Sequence, residues 1–64
     1  MKILNIVKVQ QWSEWYQAYE EAEIRIVATK KLTSRGAWMR LRNDYPAESL
    51  KGMEIIGIES MVWA

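Results

Sequence analysis

Hydrophobic and polar positions alternate most clearly in the middle of the chain. Ile24, Ile26 and Ala28 interleave with Glu23, Arg25, Val27 and Thr29, which is the period of a half-buried strand. Further on, Ala37, Met39 and Leu41 interleave with Trp38, Arg40 and Arg42. Between these runs stands Thr33-Ser34-Arg35-Gly36, polar and ending in a glycine, which suits a hairpin loop. The pattern therefore predicts a central β-hairpin over 24–42. With Leu32 facing Ala37, Ala28 lies opposite Leu41, and Met39 and Leu41 join the buried face. The outer face then carries Arg25, Val27, Thr29 and Lys31 on one strand, with Trp38, Arg40 and Arg42 on the other.

The flanking segments follow the same logic. Residues 2–10 are rich in β-branched side chains, with Ile3, Val7 and Val9 on one face and Leu4 and Ile6 on the other. Apolar character on both sides predicts a strand inside a sheet. Residues 11–22 fit a helix near 13–22, with Ser13 as N-cap and Trp15, Ala18, Tyr19 and Ala22 along one stripe. A strand is the competing reading there, because Tyr16, Ala18, Ala22 and Ile24 also alternate; Glu20 is its one fault. Pro46 at the start and Gly52 just past the end mark a short helical turn near 46–51, with Leu50 facing inward. Residues 53–63 read as a last strand, in which Gly57 signals a bulge. The sum is one compact α+β domain over 1–64, with about four strands. An all-β small barrel, with 14–30 as one long bent strand, is the alternative.

Size changes the picture by limiting the core. The chain has 64 residues and neither cysteine nor histidine, so disulfides and Cys/His zinc sites are excluded. It does contain four tryptophans and three tyrosines, more indole than so short a chain readily buries. Some aromatic area is therefore expected at an interface. Trp12, Trp15, Tyr16 and Tyr19 form one local cluster, read either as core beneath a helix or as an interaction surface. Met53, Met61, Val62 and Trp63 suggest an apolar strand edge suited to pairing with a second copy, so a homo-oligomer is expected.

The formal charge is only +1, but it is segregated. Arg25, Lys30, Lys31, Arg35, Arg40 and Arg42 fall in one stretch without an acidic residue. Glu14, Glu20, Glu21 and Glu23 precede it, and Asp44, Glu48, Glu54 and Glu59 follow, which predicts a dipolar surface. The basic stretch is either a charged strand edge that deters pairing or a site for an anionic partner. Arg25, Lys31, Arg35, Trp38, Arg40 and Arg42 are the candidate binding residues.

Candidate chemistry is sparse. Histidine, the commonest general acid or base, is missing, and so is a cysteine nucleophile. The serines at 13, 34, 49 and 60 show no spacing that suggests an activating base, and the glycines match no phosphate-binding loop. Glu20, Glu21 and Glu23 read as a solvated acidic face in preference to a cation site. The expectation is a non-enzymatic binding module with no catalytic residue, cofactor or metal, acting on a protein partner as a regulator or inhibitor. A binder of nucleic acid or an anionic nucleotide, using the basic face around Trp38, is the alternative. In brevity and composition the chain resembles small phage-encoded accessory proteins, a resemblance that covers no motif and implies an inhibitory or redirecting role. No apolar run reaches the length of a membrane span and no signal peptide is evident, so no membrane partner and a cytoplasmic location are expected.

Overall fold

In the computed structural model, residues 1–63 are described. Three strands and two helical pieces follow in the order β1 (Ile3–Ser13), β2 (Ala18–Ala28), α1 (Ser34–Asp44), α2 (Ala47–Leu50) and β3 (Met53–Val62). The strands form one open antiparallel sheet in the order β2-β1-β3. The described residues thus hold three strands where the sequence suggested about four, and the sheet does not close into a barrel.

β1 is the central strand, as its two apolar faces required. Ile3, Leu4, Val7 and Val9 are all buried. One face of the sheet packs beneath the helices, where Val7, Val9, Ile26, Ala37, Leu41 and Leu50 make the core. The other face is open. Leu4 lies on that open side, flanked in the register by Val27 and Met61.

The predicted helix at 13–22 is instead the turn and first half of a long hairpin. Its register runs from Ile3 opposite Ala28 to Ser13 opposite Ala18. Ala18, Glu20, Ala22, Ile24, Ile26 and Ala28 share one side of β2, so the alternation seen at 24–28 simply continues backwards. Glu20 ceases to be a fault because it lies opposite Gln11 towards the far end of the sheet, where it is exposed. The Ser13 signature was sound locally. Its hydroxyl accepts from the Tyr16 N–H at 3.4 Å, but the chain turns back there instead of continuing as a helix.

The stretch read as a hairpin loop and returning strand is helix α1, and no 24–42 hairpin forms. Thr33 is its N-cap, with Oγ1 accepting from the Gly36 N–H at 3.1 Å. Ala37 and Leu41, four apart, are fully buried, whereas Met39 between them is exposed. A spacing of four satisfies a helix and a strand alike; only Met39 distinguishes them, and it faces out. The Tyr45 N–H closes the helix on Leu41 O at 2.9 Å, and Pro46 stops it.

The remainder follows the sequence closely. Pro46 caps α2, Leu50 is buried, and Gly52 takes the left-handed conformation at φ 73° just past the end. β3 carries a bulge: Lys8 faces Gly57 while Val9 faces Ile55. The extra residue, Ile56, resets the alternation so that Ile55 and Ile58, three apart, both pack against the core.

One buried polar side chain ties these parts together. Asn5 is fully buried on β1. Its Nδ2 donates to the carbonyls of Ile26 at 3.4 Å and Lys30 at 3.2 Å. Its Oδ1 accepts from the Leu32 N–H at 3.0 Å and the Ser60 hydroxyl at 2.6 Å. The central strand thereby holds the β2–α1 connector and β3 at once.

Candidate functional site

β3 begins its pairing with Met53 opposite Gln11, so the hairpin of β1 and β2 extends past it as a two-stranded arm. This arm makes one end of an elongated molecule whose principal extents are 41 × 19 × 16 Å. Trp12 and Tyr19 face each other across the arm, rings 5.2 Å apart at 74°, the edge-to-face geometry that aromatic pairs prefer. At the apex, Gln17 adopts φ 53° and its Nε2 donates to the Glu14 carbonyl at 2.8 Å. With the Ser13–Tyr16 bond, this fixes the turn and holds Trp15 and Tyr16 outward. Their exposures are 88% and 67%, against 44% for Trp12 and 59% for Tyr19.

Isolated exposed hydrophobic residues are ordinary, but two aromatics in a turn next to an aromatic pair on its flanking strands are not. Such side chains offer large contact area for little lost rotamer freedom, which is why they dominate binding interfaces. The electrostatics lean acidic, although Lys51, whose carbonyl accepts from Gln11 Nε2 at 2.8 Å, also lies at the base of the arm. Glu14, Glu20, Glu21 and Glu23 lie on the arm and its base, and no lysine or arginine occurs between residues 9 and 24. The opposite end of the sheet bears Lys2, Lys30 and Lys31, so the dipolar surface has its acidic pole on the arm.

The six binding residues singled out from the sequence do not form one face. Arg25 lies on the open face of the sheet, opposite Ile6, while Lys31 is exposed in the β2–α1 connector. Arg35, Trp38 and Arg42 share a stripe of α1 at i, i+3 and i+7. The Arg42 guanidinium lies 5.8 Å from the Trp38 ring centre, within cation–π range. Arg40 leaves that stripe and pairs with Asp44 one turn on, Nε to Oδ2 at 3.1 Å. Both partners are about half exposed, so the pair adds only about 0.3–0.5 kcal/mol. The structure therefore places Arg35, Trp38 and Arg42 on one stripe and separates Arg25, Lys31 and Arg40 from it.

Trp38 and Arg42 also border an open groove of about 620 Å³ between the two helices, with Tyr45, Ala47, Leu50 and Lys51. The lining is mainly apolar. Trp38 itself is half-buried and packs against the core, so it serves structure and surface together.

As a strand, β2 sends Glu20 to the helix side and Glu21 and Glu23 to the open side, which removes the single acidic face that a helix would have made. Among the described residues no group of three or more His, Cys, Asp or Glu side chains converges on one point. No described helix is long and apolar enough to cross a membrane.

The aromatic arm was legible only in outline. Its four rings stood out as a cluster, and the alternation of Ala18, Ala22 and Ile24 was the signal for strand. Compared with protein families, curated proteins and solved structures, the chain shows no significant match.

Proposed function

We infer that this chain is a non-enzymatic protein-binding module that regulates or inhibits a partner by covering part of its surface. The exposed aromatic arm carries this reading. Trp15 and Tyr16 stand out from a turn held by its own hydrogen bonds, so little ordering is needed when a partner closes over them. The surrounding glutamates select the kind of partner. A protein surface presenting arginine or lysine would gain cation–π contact with the rings and charge complementarity with the carboxylates. Nucleic acid would be repelled at this end.

The test is affinity capture with the intact chain, with and without nuclease, beside a Trp15→Ser/Tyr16→Ser variant. A protein that resists nuclease, binds the parent chain and is lost from the variant supports the reading. Capture unchanged by the double replacement would sink it.

A second reading keeps one specific observation in its favour. Arg35, Trp38 and Arg42 lie along one stripe of α1, exposed at both arginines and half-buried at the indole, and an indole beside the Arg42 guanidinium suits a nucleotide base and its phosphate. Capture of nuclease-sensitive material, lost with Arg35→Ala/Arg42→Ala and retained by the arm variant, would favour it. The dispersal of the remaining basic residues weakens it.

A further inference from the structure

The outer edge of β2 is unpaired along its whole length, and so is that of β3, but the two edges differ in kind. β3 is bent by the bulge at Ile56 and carries only acidic charges, Glu54 and Glu59. Both features discourage another strand. β2 is regular for eleven residues, with no register break against β1, and beside Glu20, Glu21 and Glu23 it carries Arg25, a cation that a second strand's carboxylate can meet. A long regular edge is a template for strand addition unless something covers it.

We propose that a second copy of this chain covers it, by antiparallel pairing of β2 with β2 across a two-fold axis at Ile24. The register follows from charge. Residues opposite each other in an extended antiparallel sheet share one face, so the axis passes through a residue of β2. An axis at Ala22 sets Glu21 against Glu23 twice. At Glu23 it gives two Glu21–Arg25 pairs but sets Glu23 against its own copy, and at Arg25 it opposes two guanidinium groups. At Ile24 it gives two Glu23–Arg25 pairs and no like-charge pair, with Ala22 opposite Ile26 and Ile24 beside its copy on the helix side.

Three further features agree. Arg25 has no carboxylate partner among the described residues, and Lys8, across from Glu23, makes its ion pair with Glu59 at 3.1 Å. The groups that would meet are therefore uncommitted within one copy. The antiparallel arrangement also lays the basic pole of each copy, with Lys30 and Lys31 just past Ala28, beside Glu20 and the acidic arm of the other. Finally, the pairing ends near Glu20 opposite Ala28, which leaves Trp15 and Tyr16 free. The dimer would present two aromatic arms at opposite ends of a six-stranded sheet and could engage two partner sites at once. Of the apolar edge expected at Met53, Met61, Val62 and Trp63, Met53 packs against the core and the other three, exposed at the far end of β3, take no part.

The test is sedimentation equilibrium on the intact chain and on two variants with exposed changes, folding being monitored by circular dichroism. The parent chain should be a dimer that weakens as salt rises. Arg25→Glu and Glu23→Arg should each be monomeric, because each sets like charges against each other across the axis. Mixed in equal amounts, the two should recover a dimer containing one copy of each. The doubly exchanged variant Glu23→Arg/Arg25→Glu should dimerise alone. A monomeric parent chain overturns the proposal. So does a dimer indifferent to both single changes, or a failure of both the mixture and the double exchange to restore it.

Discussion

The Ser60 hydroxyl donates to Asn5 Oδ1 at 2.6 Å, joining β3 to β1 on the helix side of the sheet. The same oxygen accepts the Leu32 N–H from the connector into α1. Two elements distant in sequence are thus located by one acceptor atom. Buried polar side chains are costly unless satisfied, and no buried side-chain nitrogen or oxygen among the described residues lacks a partner.

Asn5→Ala should therefore be among the most damaging single replacements. It leaves the Leu32 N–H and the Lys30 carbonyl without their partner, each at a cost of about 1–3 kcal/mol. A small domain of about 5 kcal/mol total stability would be largely unfolded. Ser60→Ala removes one donor and should cost about 1 kcal/mol. Urea denaturation of both variants checks the ranking, and equal losses would contradict the role given to the connector.

Within α1, Leu41→Ala should cost about 2–5 kcal/mol because it opens a cavity in the core. Met39→Ala should stay within about 0.5 kcal/mol, since Met39 is 58% exposed. Thermal or urea melts of the pair test helix against strand directly, because a strand here would bury both residues.

Two glycines should respond with opposite sign. Gly52→Ala forces a side chain into the left-handed region at φ 73° and should cost about 1–2 kcal/mol. Gly36 sits in the first turn of α1 without positive φ, and an added Cβ would meet Thr33 Oγ1 at an ordinary 3.4 Å. Gly36→Ala should stabilise by about 0.5 kcal/mol through helix propensity and a less flexible unfolded chain. Comparison of denaturation midpoints at constant m-value decides both.

On the arm, stability and binding should separate. Trp12→Ala breaks the ring pair with Tyr19 and should cost about 0.5–1.5 kcal/mol. Trp15→Ser should leave the melting transition nearly unchanged, because the side chain touches mainly solvent, yet reduce partner capture sharply. A marked loss of stability with Trp15→Ser would mean that this indole supports the fold and is not held free for a partner.

Where neighbouring residues suffice to specify a conformation, the sequence alone determined the outcome. The β-branched run at the start made a strand, and its two apolar faces placed it in the centre of the sheet. Pro46 and Gly52 bounded a short helix around an inward Leu50, Gly57 marked the bulge, and alternation from Glu23 to Ala28 assigned the faces of β2. The tertiary structure decided the two segments whose local patterns served either state. Residues 11–22 carry a helix stripe and a strand alternation together, and β1, continuing to Ser13, provided the partner that made them a hairpin. Residues 33–44 place Ala37 and Leu41 at a spacing common to both states, and the uncovered face of the sheet core, with Asn5 holding the connector, made them a helix. The exposure of Trp12, Trp15, Tyr16 and Tyr19 was decided in the same way. Burial depends on what lies opposite: Trp12 and Tyr19 stand on the face of the sheet that the helices leave open, and Trp15 and Tyr16 stand in the turn beyond the last pair of β3.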